Sequence, residues 1–371
     1  MRILVINAGS SSVKFSVFDM THGEQCFKSE IERVGVMEDA LREIPRALEN
    51  AGQQQLDAIG HRVAHGGSLF RDATLINEDV VDDIEACVPL APLHNPPILA
   101  GIKMTRKLWP LLPQVAVFDT AFHQNIPEYA YTYAVPKAWR DAGLRRYGFH
   151  GTSHRYIMER VTEELRTPAA RLRIISCHLG NGASICAIQN GVSIDTSMGM
   201  TPLEGLVMGT RSGDVDPGIF TYLERTLGLS ADQVENALYH DSGLAALSGC
   251  GNDMRDIEKQ VAAGDAKAQL ALEVHTYRVK KYIGAYAAAM DGVDAIAFTG
   301  GIGENSALIR SRICNGLEFL GLQFDEAKNA QVKLTGYEAP QIQRDSSQVR
   351  VLVTQAREQW MIAKETARIA A

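Results

Sequence analysis

Two stretches far apart in this chain share one design. Ile3 to Ile6 is a short apolar run, Asn7-Ala8-Gly9-Ser10-Ser11-Ser12 breaks it, and Val13 to Phe18 resumes with strand-like alternation. Leu172 to Cys177 leads in the same way into His178-Leu179-Gly180-Asn181-Gly182-Ala183, and Ser184 to Ile188 leads out. Each reads as a β-hairpin with an unusually polar tip. One such unit opening each half of the chain implies duplication of whole domains rather than a short solenoid repeat. With 371 residues, enough for about two domains at ~150 residues each, the chain is expected to build two related lobes facing a cleft.

The segments around the hairpins alternate in period. Helical apolar spacing runs from Asp79 to Cys87 and from Ser153 to Leu165, and strand-like runs cover Ala58 to Ala64 and Gln114 to Asp119, a mixed α/β pattern. A long amphipathic stretch, Asp265 to Met290, precedes the apolar strand Ala295 to Phe298. That strand enters Thr299-Gly300-Gly301-Ile302-Gly303-Glu304-Asn305-Ser306, where Asn305 or Ser306 could cap a helix beginning at Ala307. A glycine-rich strand-to-helix turn is a good place to receive a nucleotide. No Pro/Ser-rich linker separates the halves.

Charge and cysteine usage narrow the function classes. Hydrophobic residues are 46% and charged residues 22%, ordinary globular usage that leaves little room for disorder or coiled coil. A net charge of −7 gives no whole-molecule attraction to nucleic acid or anionic lipid, while a local cationic pocket for a small anion remains open. Cys26, Cys87, Cys177, Cys186, Cys250 and Cys314 form no C-x-x-C pair, so buried free thiols are expected rather than disulfides or a sulfur zinc site. The first residues hold no signal-peptide core and no later run reaches the ~20 apolar residues of a membrane span, from which a cytoplasmic address is expected.

Several segments carry chemistry. In Asn7 to Lys14, glycine admits close backbone approach, backbone N–H groups and the hydroxyls of Ser10 and Ser12 can donate to phosphate oxygens, and Lys14 adds a point charge. This is not a Walker A loop, because the lysine follows on a strand rather than opening a helix. His178-Leu179-Gly180-Asn181-Gly182 is a second candidate phosphate cradle; a lone histidine is more often structural, but one directly before Gly-Asn-Gly at a strand end has a ligand-facing role as an equal alternative. Three further segments combine Arg or His with glycine, as a pocket for a carboxylate or phosphoryl group must: His61 to Gly67, Arg145 to His154 and Met208 to Pro217. Asp119 ends an apolar run where many α/β folds place functional groups, although on the residues alone a helix cap is the favoured role.

Taken together, these segments resemble the acetate kinase family, the acyl kinases that phosphorylate short carboxylic acids. The matching blocks are Asn7 to Lys14, Gly60 to Gly67, Ala91 to Pro97, Phe118 to His123, Tyr147 to His154, His178 to Gly182, Gly199 to Gly205, Met208 to Pro217 and Phe298 to Ser306, in the family's order over nearly the whole chain. The resemblance implies an α/β, two-lobed actin-like fold (acetate and sugar kinase/actin, RNase H-like) with duplicated domains. It places residues 1–123 plus 361–371 in an N-terminal lobe and 124–360 in a C-terminal nucleotide-binding lobe.

The same resemblance implies the site. Asn7 matches the Mg²⁺-site asparagine and Lys14 the lysine near the nucleotide phosphates. Arg62 and Arg211 match the arginines that hold the carboxylate and the transferring phosphoryl, Asp119 the active-site aspartate, and His150 the histidine of transition-state stabilisation. His178, Leu179, Gly180, Asn181 and Gly182, then Asp253, Met254 and Arg255, then Gly301, Ile302, Gly303, Glu304 and Asn305 match the ATP-binding segments. Two stretches depart from the family. Cys250-Gly251-Asn252 stands where hydroxyl residues are usual, and Thr354 to Trp360 replaces the usual Thr-Asn-Glu-Glu-Leu, so that counting back from Met361 places Glu358 on the metal-site glutamate.

Because side chains alternate along a strand, Arg62 and Ala64 share a face, and an Arg62 that holds a carboxylate makes Ala64 a candidate acyl wall, where acetate kinases often carry valine. Leu93 or Phe149 would otherwise fill that space, and Pro202 completes the candidate substrate contacts. The implied activity is reversible, Mg²⁺- or Mn²⁺-dependent transfer from ATP to acetate in a homodimer that binds neither nucleic acid nor membrane. The alternatives are a propionate kinase and an actin-like ATP-driven binding module; the latter has no need of the set Arg62, Asp119, His150 and Arg211.

Overall fold

The computed structural model describes residues 1–9, 12–32 and 37–371. The first hairpin is β1 (Arg2–Ala8) and β2 (Ser12–Asp19), continued antiparallel by β3 (Glu24–Glu32). Beside β1 lies β4 (Ala58–Val63) and beside that β6 (Gln114–Phe118), each parallel to the strand before it, with the short β5 (Thr74–Leu75) antiparallel to β6 at the edge, giving the order β3-β2-β1-β4-β6-β5. The second hairpin is β7 (Arg173–Leu179) and β8 (Ala183–Gln189), extended by β9 (Val192–Thr196), with β10 (Ala295–Thr299) and β11 (Arg350–Val353) parallel beside β7. Its order, β11-β10-β7-β8-β9, repeats the first sheet's plan: an antiparallel meander with parallel strands beside its first member. Both hairpins run further into their polar tips than the apolar runs suggest, because Asn7 pairs with Lys14 and His178 with Ser184.

Burial on both faces explains why β1 reads as an unbroken apolar run. Leu4 and Ile6 pack with Leu41, Ile44 and Leu48 of helix Met37–Asn50, whereas Ile3 and Val5 pack with Ile362 and Ala363 of the last helix, Glu358–Ala370. The chain's end therefore belongs to the first sheet. One compact unit comprises Met1–Gln124, Phe149–Tyr156 and Arg357–Ala371, and the other Asn125–Gly148 and Ile157–Ala356. Residues 149–156, outside the boundaries expected from the sequence, join the first unit: Gly151 N–H donates to the Asp119 carbonyl at 2.8 Å, and Arg155 pairs with Glu365 at 3.2 Å. In the second unit the expected amphipathic stretch is helix Ala266–Ala289, whose buried residues include Ala268, Leu272, His275, Val279, Ile283 and Tyr286.

The helix Ala307–Cys314 is capped by Ser306, whose hydroxyl accepts from Ile309 N–H at 3.0 Å. Among the cysteines, Cys87, Cys177, Cys186 and Cys314 are buried free thiols, but Cys26 and Cys250 are exposed, one on the outer strand β3 and one in the loop after Gly249. No helix among the described residues is long and apolar enough to cross a membrane.

Two histidines are sealed in these cores. His61 meets Gln114 Oε1 at 2.9 Å, and His275 donates from Nδ1 to the Val207 carbonyl at 3.0 Å. Burial lowers each pKa from 6.5 to about 4. Between those values the unfolded chain binds protons that the folded chain does not, so stability falls as pH falls, by about 1.4 kcal/mol per pH unit for each imidazole. Denaturant unfolding from pH 6 to pH 5 should show this slope, and His275→Gln, which keeps an N–H for Val207, should make it shallower by one histidine's share. An identical slope in the variant would contradict the neutral, sealed state of His275.

Candidate active site

In the first unit the candidate residues gather at the C-terminal ends of β1, β4 and β6. Arg62 lies opposite Val117 in the parallel register, and Asp119 follows two residues on, so both side chains leave the same face. Arg62 donates from Nε to Asp119 Oδ2 at 3.0 Å and from Nη2 to the same oxygen at 2.5 Å, a fork against a carboxylate that is almost wholly buried. Its Nη1 reaches Asn7 Oδ1 at 3.4 Å. The charge of Asp119 first, and that of Glu358 with it, raises the guanidinium's pKa against the opposing effect of burial. Glu358, at the start of the last helix, thus acts on the same group.

The helix-cap role favoured for Asp119 on the residues alone is not what the structure has. The short 3₁₀ turn that follows starts at Thr120 with no side-chain cap, and the carboxylate is held by Arg62 instead. His150 sits just before helix Gly151–Glu164 with φ of 56°, a left-handed conformation that a non-glycine residue adopts only under constraint from its surroundings. The Gly151–Asp119 backbone bond ties that turn to the arginine–aspartate pair. Lys14 is directly opposite Asn7 across the hairpin and pairs with Glu30 at 3.4 Å. Ser12 opens β2, and its carbonyl accepts from Gly9 N–H at 2.9 Å; Ser10 lies outside the described residues. Ala64 lies past the end of β4 in an apolar cluster with Val63, Phe70 and Phe118. Phe149 is buried with its ring edge-on to His65, whereas Leu93 is 61% exposed and fills no core space.

The second unit assembles a separate group. Arg211 is partly buried and donates from Nη1 to the Pro202 carbonyl at 3.1 Å and to Met208 Sδ at 3.7 Å. Among the described residues no carboxylate pairs with it, and burial lowers its pKa. A partly buried cation with no carboxylate partner among the described residues suits an anion. At the tip of β7 and β8, Gly180 N–H donates to the Gly182 carbonyl at 3.1 Å. Gly300, with φ of 80°, brings its turn so close that a Cβ there would lie 2.6 Å from the Leu179 carbonyl oxygen. His178 to Gly182 and Gly301 to Asn305 therefore form one surface. Within it, Ile302 and Gly303 are buried, and Asn305 Nδ2 donates to the Gly301 carbonyl at 2.9 Å.

One oxygen of the Glu304 carboxylate is engaged within the protein. Its Oε1 accepts from Gly300 N–H at 3.0 Å and from Ala356 N–H at 2.7 Å, which makes it a brace for the glycine turn. Asp253 caps helix Met254–Ala262, with Met254 buried, and binds the Arg255 guanidinium at 2.6 Å, so two candidate contacts hold each other. Arg146 and Asn252 lie in segments that the sequence singles out without giving either a role of its own, whereas Tyr133 and Arg310 lie outside them. Arg146 donates to Glu204 and to the carbonyls of Thr196, Ser197 and Met198, while Tyr133 OH donates to Glu204 and accepts from Met200 N–H, fixing the loop that carries Pro202. Buried Arg310 donates to the Gly303 and Glu304 carbonyls at 2.9 and 2.8 Å; an arginine between Ile309 and Ile313 was its only signal. Asn252 meets Asn181.

The sequence model of the acetokinase family matches residues 2–50 and 38–364 of the chain. The acetate kinase of Carboxydothermus hydrogenoformans is 48% identical over 99% of this chain and 98% of its own length. Among solved structures, the acetate kinase of Porphyromonas gingivalis superposes with a TM-score of 0.95 at 42% identity, covering all of both chains. A propionate kinase from Francisella tularensis gives 0.92 at 40% identity over 99% of each. The fold is the duplicated, actin-like α/β one.

Arg211 generates a test that needs no substrate. Inorganic phosphate should raise the thermal midpoint of the protein, and Arg211→Met should diminish that response while leaving the ligand-free midpoint equal or higher, since a partly buried, unpaired cation is replaced by an apolar chain. An undiminished phosphate response in Arg211→Met would remove Arg211 from the anion site.

Proposed function

The chain belongs to the acetokinase family, and on that premise we propose that it transfers the γ-phosphoryl group of ATP to acetate, reversibly, giving acetyl phosphate and ADP. The observation that carries the reading is Arg211, a partly buried guanidinium with no carboxylate partner among the described residues. The carboxylate oxygen attacks the γ-phosphorus in line, the bond from that phosphorus to the bridging oxygen breaks, and ADP leaves with the electron pair. An acid of pKa near 4 is already ionised at neutral pH, so no general base is required. Asp119 accordingly serves as the anchor of Arg62 rather than as a proton acceptor.

The obstacle is the meeting of two anions, and the groups assigned to it work by position and charge. Arg62 and Arg211 hold carboxylate and phosphoryl, and His150 stabilises the equatorial oxygens. Lys14, Ser10, Ser12, the His178–Gly182 tip and the Gly301–Asn305 turn take the phosphates, and Asp253 to Arg255 the adenosine side. Among the described residues no three His, Cys, Asp or Glu side chains cluster to cage a metal. Mg²⁺ usually keeps several waters and takes one or two protein oxygens beside substrate phosphates, which suits the hard donors Asn7 and Glu358. Bound there, Mg²⁺ (or Mn²⁺) would neutralise charge on the nucleotide phosphates.

We assign the protein to the cytoplasm and to a homodimer. Helix Ile219–Leu227, Ile-Phe-Thr-Tyr-Leu-Glu-Arg-Thr-Leu, buries none of its residues within the chain and supports the second assignment, because such a face is covered in a stable protein.

Propionate is the second reading for the acid, supported by the small Ala64 and by likeness to a propionate kinase. Hydroxylamine traps an acyl phosphate as a hydroxamate, and a panel of formate, acetate, propionate and butyrate with ATP and Mg²⁺ should give product with acetate and propionate. Ala64→Val should lower kcat/KM for propionate more than for acetate, within the ~10 to 200-fold that one methylene is worth in an apolar pocket. No hydroxamate from any acid would overturn the activity; an unchanged acetate-to-propionate ratio in the variant would overturn the acyl wall alone.

A further inference from the structure

Asn181, at the tip of the second hairpin, is held from two sides. Its backbone carbonyl accepts from Gly209 N–H at 2.9 Å, and its side-chain Oδ1 accepts from Asn252 Nδ2 at 2.7 Å. Gly209 has no room for any larger residue, since a Cβ there would lie 2.0 Å from Asn181 Oδ1 and 3.1 Å from Asn252 Nδ2. Three segments distant in sequence thus meet at one amide: the His178–Gly182 tip, the loop that carries Arg211, and the Cys250–Asn252 stretch that departs from the family pattern.

The direction of the bond has a chemical consequence. An amide whose oxygen is taken by a donor turns its NH₂ the other way, and among the described residues nothing accepts from Asn181 Nδ2. We propose that Asn252 is a positioning residue for the nucleotide: by donating to Asn181 Oδ1 it fixes the amide so that Asn181 Nδ2 presents its N–H groups to a phosphate oxygen. Without Asn252 the donor that selects this orientation is gone, and the flipped amide offers the phosphate an oxygen, which repels it. This assignment rests on the reading of the second unit's surface as the ATP site, and it adds the residue that sets the polarity of that site.

Steady-state kinetics of Asn181→Ala, Asn252→Ala and the double variant test it. Asn252 is exposed, so its replacement should leave the thermal midpoint unchanged. Asn252→Ala is expected to raise KM for ATP about fivefold, the effect of one ordinary hydrogen bond, with KM for acetate unchanged. In the Asn181→Ala background the same substitution should change KM for ATP by less than about twofold, because its effect passes through the missing amide. A multiplicative loss in the double variant, an unchanged KM for ATP in Asn252→Ala, or equal rises in KM for both substrates would overturn the relay. If the unsubstituted protein turns over no ATP with any acid, the nucleotide reading itself fails, an outcome distinct from a flat response among active variants.

Discussion

A buried carboxylate, Asp119, meets the forked guanidinium of Arg62 where three strands of the first sheet end. Everything proposed for the first unit is referred to that pair. Arg62 is aimed by it toward Asn7, Gly151 bonds to the same aspartate's backbone, and the last helix brings Glu358 into its electrostatic field. A fork of this kind fixes a plane as well as a charge, which a lysine could not. The pair also explains a requirement of the reaction. On the proposed reading, a carboxylate substrate needs a cation whose orientation is set before it arrives, and Asp119 can be committed to that cation because the ionised substrate has no proton to give up.

The second unit solves a different problem with the same topology. Its hairpin tip and its glycine turn approach until backbone meets backbone, and Glu304 and Arg310, both charged, hold the turn through main-chain groups. Arg211, by contrast, is left with a carbonyl and a thioether. One arginine of the proposed reaction is neutralised and oriented by a carboxylate, and the other is not, and that asymmetry leaves one full positive charge for the incoming phosphates.

Much of this was legible in the sequence, for identifiable reasons. The two polar-tipped hairpins announced the duplication because strands buried on both faces read as continuous apolar runs, and small residues at their tips have no packing explanation. Arg62 and Arg211 were visible because glycine flanks them. What could not be read were partnerships set by tertiary approach. Asp119 followed by Thr120 looks like a cap until β4 places Arg62 beside it. Nothing local to Glu304 shows that one of its oxygens braces the turn, because the Ala356 N–H that it accepts from lies 52 residues on. The clasp between Asn181 and Asn252 joins segments 71 apart, and no local pattern encodes it.

Phosphoryl transfer in this protein is a single in-line displacement between two bound anions, on the proposed reading, assisted by fixed charge and without a protein nucleophile. The stereochemical course at phosphorus tests it most directly. ATP made chiral at the γ-position with oxygen isotopes and sulfur, used to phosphorylate acetate, should give acetyl phosphate with inverted configuration. Retention would require a second displacement through a phosphorylated side chain, and would contradict the charge-stabilising roles of Arg62, Arg211 and His150.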